Sequence, residues 1–450
     1  MELRSADTIA AIATAPGRGA IGIVRVSGPH TRQVLLGLAG TVPSPRHASL
    51  TRFRDPQGAT IDQGISLFFP GPHSYTGEDL AELQAHGGPV VLQSLLSRCV
   101  DLGARIAKPG EFTERAYHAG KLDLAQAEAV SDLIDASSRG AARAAARSLS
   151  GTFSIGIREL SDELRTLRIL VEAAIDFPEE DIDVVKTYEV ATRIEGLSLK
   201  LESLIKRARQ GRMLREGLHV VLAGEPNVGK SSLLNRLARE EVAIVTDIPG
   251  TTRDAIRVSI ELEGIPIHVT DTAGLRETDE TIERIGIEKT RRVLREADAA
   301  LIVVDAREDV RSAVGRVLRQ TALPDAMLVI RNKMDLLGGE ASETVQQGMR
   351  VLAVSAATGE GIEGLGRALL ELGGWDAGLS ETVFIARSRH VEALQRSLFH
   401  VLQGGELLHQ GVDMAAEEFR YAEDALNEII GWRSPDHLLG DIFSHFCLGK

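Results

Sequence analysis

Only two cysteines, Cys99 and Cys447, occur in 450 residues, and they lie far apart without metal-type spacing. That leaves no material for a disulfide framework and argues against a zinc site. Aromatic residues make up 4% of the chain, too few for a platform on which single strands would stack. Basic residues are not in excess either: 51 Lys and Arg stand against 64 Asp and Glu, a formal net charge of −13. That argues against attachment to nucleic acid by bulk charge alone, and any RNA contact is expected to be local, transient or shared with a more basic partner. Apolar runs break well short of the roughly 20 residues a membrane span requires. Glu2, Arg4 and Asp7 interrupt any signal-like stretch, so the expected location is cytoplasmic.

What is present is an ordinary globular balance, 43% hydrophobic and 26% charged, in a chain long enough for about three domains. The pattern changes style along the chain. Residues 1–118 alternate β-like runs (Ile21 to Val26, Gly64 to Phe69) with turns and a helical stretch from Val90 to Leu102, which predicts an α/β domain. Residues 119–215 read as long helices: Leu160, Leu164, Leu167 and Val171 fall at helical spacing, and Ala141 to Arg147 favours helix. In residues 216–378 βα alternation returns, with continuous apolar strands (Ala300 to Asp305, Met327 to Arg331) that predict a parallel sheet covered on both faces. Residues 379–450 are helical again. The expected class is α/β plus all-α, with an α/β module inserted into one helical domain; two separate helical units are the alternative.

The inserted module carries the chemistry. Gly224-Glu-Pro-Asn-Val-Gly-Lys-Ser231 has the spacing of a phosphate-binding loop between a strand and a helix. Glycines let the backbone wrap a triphosphate, amide groups point inward, and the helix start offers a positive dipole end. Lys230 would neutralise the β- and γ-phosphates, and Ser231 would ligate Mg²⁺. Asp271-Thr272-Ala273-Gly274 ends a strand, where Asp271 can hold Mg²⁺ through water and Gly274 can bond the γ-phosphate. Thr246-Asp247-Ile248-Pro249-Gly250-Thr251-Thr252 forms a loop able to close over the metal, with Thr252 as the favoured ligand. Asn332-Lys333-Met-Asp335 ends another strand, and the Asp335 carboxylate can accept two hydrogen bonds from guanine that adenine cannot offer. Ser355 and Ala356 complete a base-contacting loop with Ala357. With Asn227, Val228, Gly229 and Ser232 of the phosphate loop, these are the expected GTP contacts. Leu275 follows Gly274 where Ras-like proteins carry a water-orienting glutamine, so another group must serve. Glu283 is the candidate; its alternative is a solvated helix-start carboxylate.

Beyond this module, segments along nearly the whole chain carry a resemblance. They include Ala15-Pro-Gly-Arg-Gly-Ala-Ile-Gly-Ile-Val-Arg25, Glu82-Leu-Gln-Ala-His-Gly-Gly88, Pro109-Gly-Glu-Phe-Thr-Glu-Arg115, Lys121-Leu-Asp-Leu-Ala-Gln-Ala-Glu128, Gly250-Thr-Thr-Arg-Asp254 and Phe443-Ser-His-Phe-Cys-Leu-Gly-Lys450. The chain resembles the MnmE (TrmE) family, the TrmE branch of Era-like GTPases. The resemblance implies a homodimer formed through an N-terminal domain that binds a one-carbon tetrahydrofolate, with Arg25, Glu82, Lys121 and Lys450 at the folate positions. It implies hydrolysis stimulated by K⁺, held by Asn227 and by backbone carbonyls of Thr246, Ile248 and Thr251, and it selects Glu283 as the water-orienting residue. It further implies a flavin-dependent partner of the MnmG (GidA) type, which would bring FAD and most of the tRNA-binding charge. Together the two would install an aminomethyl or carboxymethylaminomethyl group at C5 of the tRNA wobble uridine. Cys447 is left open between nucleophile and packing residue. An Era-like ribosome-assembly switch is the alternative function; it would carry a basic RNA-binding domain, whereas the tail here holds Glu417, Glu418, Glu423 and Asp424.

Overall fold

The computed structural model describes residues 7–176, 189–240, 242–243, 257–271, 297–320, 323–324, 326–346, 348–379, 382–408, 410–432, 436–444, 446 and 449. The strands are β1 (Thr8–Ile12), β2 (Gly19–Ser27), β3 (Ser49–Arg54), β4 (Thr60–Phe69), β5 (Leu80–Gly87), β6 (Ala104–Ile106) and β7 (Leu218–Ala223). They continue with β8 (Val242–Ala243), β9 (Arg257–Leu262), β10 (Ile265–Asp271), β11 (Ala299–Asp305), β12 (Met327–Asn332), β13 (Ser342–Gln346) and β14 (Met349–Ala353). The helices are α1 (Thr31–Ala39), α2 (Pro89–Asp101), α3 (Glu111–His118), α4 (Leu124–Ile134), α5 (Arg139–Leu149), α6 (Thr152–Asp176) and α7 (Val190–Glu216). After them come α8 (Lys230–Glu240), α9 (Val310–Gln320), α10 (Ile362–Leu372), α11 (Ser388–Leu407), α12 (Val412–Ile430) and α13 (Asp436–Ser444). The chain divides into two compact units, one of residues 1–134, 148–190 and 403–450, the other of residues 135–147 and 191–402.

In the first unit a six-stranded sheet runs in the order β3-β4-β5-β2-β1-β6. Period-two alternation gives it one core face: Val24 and Val26 of β2 and Leu83 and Ala85 of β5 pack with Leu92, Leu95, Leu96 and Cys99 of α2. Each large side chain buried there stabilises the unit by about 2 kcal/mol. Pro89 opens α2, where its missing N–H costs nothing. Burial pushes the Cys99 thiol up to about 12, so this cysteine packs as a small apolar group and is not a nucleophile. The sequence reading placed one helix in this region; α1 and α3 are additional, and at nine and eight residues they are too short for periodicity to identify.

A buried ionic cluster ties α3 to the strands. Arg115 is 7% exposed and bonds Asp7, Glu78 and Glu111, while Arg105 bonds Glu111 from the other side. Burial alone would raise the Glu111 carboxyl; Arg105, the Lys108 N–H and Arg115 outweigh it and hold it below the usual carboxylate range. A carboxylate depressed in the folded state adds stability above its unfolded pKa, and that stability is lost as pH falls through the folded value. Arg115→Ala removes a partner of the buried Glu111 and is expected to destabilise this unit by about 3 kcal/mol at neutral pH. The difference from wild type should shrink on acidification below about pH 4, as Glu111 protonates. Urea midpoints at two pH values measure both; an unchanged neutral midpoint would overturn the assignment.

Parts of the two helical stretches of the sequence pack together within this unit. Leu160, Leu164, Leu167 and Val171 are the buried stripe of α6, which lies along α12 with its buried Phe419, Leu426 and Ile430. Ser161 Oγ donates to Asn427 Oδ1 at 3.2 Å, and Arg165 and Arg168 both reach Glu423. Glu423 is thus neutralised inside the bundle, and Glu417 and Asp424 flank Arg420, so part of the acidity of this tail is internal. Leu439, Ile442, Phe443 and Phe446 then cover Leu124, Ala127 and Val130 of α4. Helices from both helical stretches, α4 and α6 from the first and α12 and α13 from the second, thus share one unit, whereas residues 135–147 and 191–402, with most of α5, α7 and α11, belong to the other.

In the second unit an eight-stranded sheet runs β13-β14-β12-β11-β7-β10-β9-β8. The pairings β14 with β12, β12 with β11, β11 with β7 and β7 with β10 are parallel, as the apolar runs predicted, and β11 is buried at every residue. Antiparallel strands close both edges, β13 on one side and β9 and β8 on the other. Leu233, Leu234 and Leu237 of α8 and Leu365, Ala368 and Leu369 of α10 belong to one core. Val310, Ala313, Val314 and Val317 of α9 pack on Ile302, Val304 and Val329 in another. Among the described residues no helix is long and apolar enough to cross a membrane.

Candidate functional site

The phosphate-type loop follows the buried strand β7 and runs directly into α8, which begins at Lys230. Lys230 is 7% exposed, and its Nζ donates to Gly224 O and Glu225 O at 2.9 Å each, so the loop curls around its ammonium. Gly229 has φ +95°, and a Cβ there would stand 2.4 Å from Asn332 Nδ2. Only glycine meets both conditions. Ser231 and Ser232 are exposed at the helix start, and Asn227 has φ +63°.

Asn332 and Lys333 join this loop to the opposite side of the site. Asn332 Nδ2 donates to Val228 O at 2.9 Å, and its Oδ1 accepts from the Ala356 N–H at 3.1 Å. Lys333 Nζ donates to Asn227 O at 2.6 Å and to Asp305 Oδ2 at 2.9 Å. Ser355 Oγ donates to Asp335 Oδ1 at 2.6 Å, holding that carboxylate at the mouth. Asp335 is itself exposed. Parallel strand ends explain the convergence: Asn332 lies in register with Asp305, and β7 runs beside β11. Ligand crevices of open α/β sheets form at such carboxyl ends. Asp271 is buried at the end of β10, in register with Leu222 of β7.

Sequence reading missed three supports. Asp305 is buried, and the Arg307 guanidinium, with Lys333 assisting against the cost of burial, holds its carboxyl well below the usual range. Its position ending an apolar strand was the available signal. Arg316 grips Glu225 of the loop through two bonds of 2.6 and 3.0 Å, and Arg236 reaches the Ser355 loop; neither shows any local pattern. Thr246, Asp247, Ile248, Pro249, Gly250, Thr251, Thr252, Thr272, Ala273, Gly274, Glu283, Cys447 and Lys450 lie outside the described residues. No group of three or more His, Cys, Asp and Glu able to hold a metal occurs among the described residues.

A second constellation lies on the other face of the first sheet. Arg25 on β2 stands in register with Glu82 on β5, and its Nε and Nη2 donate to Glu82 Oε1 at 3.2 and 2.9 Å. Its Nη1 donates to Gly449 O at 3.5 Å, and its guanidinium lies 5.6 Å from the Tyr75 ring and 5.7 Å from Phe112. Gly449 has φ +91° and packs on Ile12 and Ala13, which seats it beside Arg25. Both bonds from Arg25 to Glu82 use Oε1, leaving Oε2 outside that pair. Lys121 is exposed, with Cε 3.6 Å from the place a Cβ of Gly77 would take.

Two family models match: "GTP-binding protein TrmE N-terminus" over residues 8–121 and "MnmE helical domain" over residues 124–447. A tRNA modification GTPase MnmE of Dechloromonas aromatica is 52% identical over 449 residues, 99% of each chain. The chain belongs to the MnmE family. A second member, from Azoarcus sp., is 53% identical over 450 residues, 99% of each chain, and one from Thiobacillus denitrificans is 51% identical, covering 99% of this chain and 98% of that one. MnmE membership agrees with the expected order of an N-terminal domain, a helical domain and a G domain with a mostly parallel sheet.

Proposed function

We propose that this chain hydrolyses GTP and acts in tRNA modification, as the names of its MnmE relatives state of them. The observation that carries the reading is Asn332, which bonds the phosphate loop at Val228 and the base-side loop at Ala356 with one carboxamide. A nucleotide seated across that bridge has its phosphates on the Gly224 to Ser231 loop and its base between Asp335 and Ser355. Lys230 would balance phosphate charge, Ser231 and Asp271 with Thr252 would hold Mg²⁺, and Glu283 would orient water.

The finer assignments follow the resemblance. Residues 1–118 would bind a tetrahydrofolate one-carbon derivative and join two copies, residues 119–215 and 379–450 would form the helical domain, and residues 216–378 the G domain. The Arg25–Glu82 pair fits a folate chemically, because the carboxylate suits the pterin amino and N–H groups and a cation suits the glutamate tail. Lys121 and Lys450 would add further positive charge. The folate would supply a one-carbon unit when bound, and Arg25, Glu82, Lys121 and Lys450 would hold and orient it. A flavin-dependent partner of the MnmG type would complete the modification of the wobble uridine, and tRNA would be contacted largely through that partner.

K⁺ would be held by Asn227 with carbonyls of Thr246, Ile248 and Thr251, placing a positive charge where the transition state develops negative charge. GTP turnover by the purified protein is therefore expected to be about tenfold or more faster in KCl than in NaCl. Asn227→Ala should bring the KCl rate down to the NaCl rate. Equal wild-type rates in the two salts would discard the potassium assignment.

A further inference from the structure

Arg236 has no part in the nucleotide contacts assigned above, yet it sits on the same helix as Lys230. Its Nε donates to Ala356 O at 3.2 Å and its Nη2 to Ala357 O at 2.6 Å. The side chain is half-buried, and six residues of helix place it about 9 Å along the axis from Lys230. Leu233, Leu234 and Leu237 anchor that helix in the core, so both ends of the segment are fixed to one rigid body.

We infer that Arg236 is a positioning residue for guanine recognition, clamping the Ser355-Ala356-Ala357 loop to the helix that carries the phosphate-binding lysine. A trans peptide carries its carbonyl and the next N–H on opposite sides. Seating Ala356 O and Ala357 O on one guanidinium therefore fixes where the amides of Ala357 and Thr358 point, and the Thr358 N–H indeed meets Ser355 Oγ at 3.2 Å. Ala356 is held from its other side as well, its N–H on Asn332 Oδ1. Amide donors recognise only acceptors, and on guanine the base-edge acceptor that adenine lacks is O6. The planar fork donates from two separate nitrogens in one fixed geometry, whereas an ammonium donates from a single rotating centre. One helix thus couples the phosphate end of the site to the base end.

This rests on the GTPase reading, and the test separates the two. GDP and ADP dissociation constants and GDP release rates are measured for the full-length wild type, Arg236→Ala and Arg236→Lys. Arg367→Ala, an exposed helix-surface change, is the control, and thermal melts verify folding. Arg236→Ala is expected to release GDP on the order of tenfold faster, with ADP binding unchanged, so that the GDP-to-ADP preference falls by that factor. Arg236→Lys should recover only part of the loss, and in turnover the penalty should fall on KM more than on kcat. A uniform loss for both nucleotides would reduce Arg236 to a purely structural role and overturn the inference, as would wild-type release rates in both variants. If the wild type itself bound ADP as tightly as GDP, the GTPase reading would fall first, and the inference with it.

Discussion

Asp335→Asn is expected to lose GTP binding on the order of a thousandfold while gaining the ability to bind and hydrolyse xanthosine triphosphate. Guanine presents two donors on its N1 and amino edge, and a carboxylate accepts both. Ser355 Oγ donates to Asp335 Oδ1 at 2.6 Å, so an asparagine there keeps its oxygen for Ser355 and turns its NH₂ toward the base. Guanine then meets a donor with a donor. Xanthine carries a carbonyl in place of the amino group and accepts from that NH₂. The size of the switch depends on how far the seated base dries Asp335, since the carboxylate is exposed without it. Titration of the variant with both nucleotides measures it. Retained GTP affinity with no gain for the xanthine nucleotide would remove Asp335 from base recognition.

Lys230→Ala is expected to reduce GTP hydrolysis by about a thousandfold or more. The residue does two things. Its ammonium draws the carbonyls of Gly224 and Glu225 inward at 2.9 Å each, setting the curvature of the loop, and it supplies buried positive charge where phosphate charge would gather. Neither role survives truncation to alanine, and Arg316, engaged with Glu225 and Glu308, is not placed to take over. Turnover within tenfold of wild type would discard the assignment. Carried into cells, the same variant asks whether hydrolysis is needed for the tRNA chemistry. Wobble-uridine nucleosides identical to wild type would separate the GTPase from the modification.

The acidic C-terminal segment shows how sequence and structure divide the work. Glu417, Glu418, Glu423 and Asp424 read in sequence as an acidic surface, yet Glu423 is buried between Arg165 and Arg168, more than 250 positions earlier in the chain. Charge counts carry no information about partners that distant. The phosphate loop is the opposite case. Its glycines, lysine and serine are contiguous, and the strand and helix on either side follow from local hydrophobic periodicity, so its geometry was legible before any fold was known.

By itself the sequence determined the class of site and its chemistry, because a strand–loop–helix and the ends of apolar strands are local features whose residue types and spacing encode their geometry. It also determined the parallel centre of the second sheet, through continuous apolar runs. Only the tertiary structure decided what supports that site, Asp305 beneath Lys333, Arg236 on the Ala356 and Ala357 carbonyls and Arg316 on Glu225, and, in the first unit, what seats Gly449 beside Arg25. The reason is physical. Each rests on one side chain reaching across to a part of the chain far away in sequence, and such a contact leaves no periodic trace in either element.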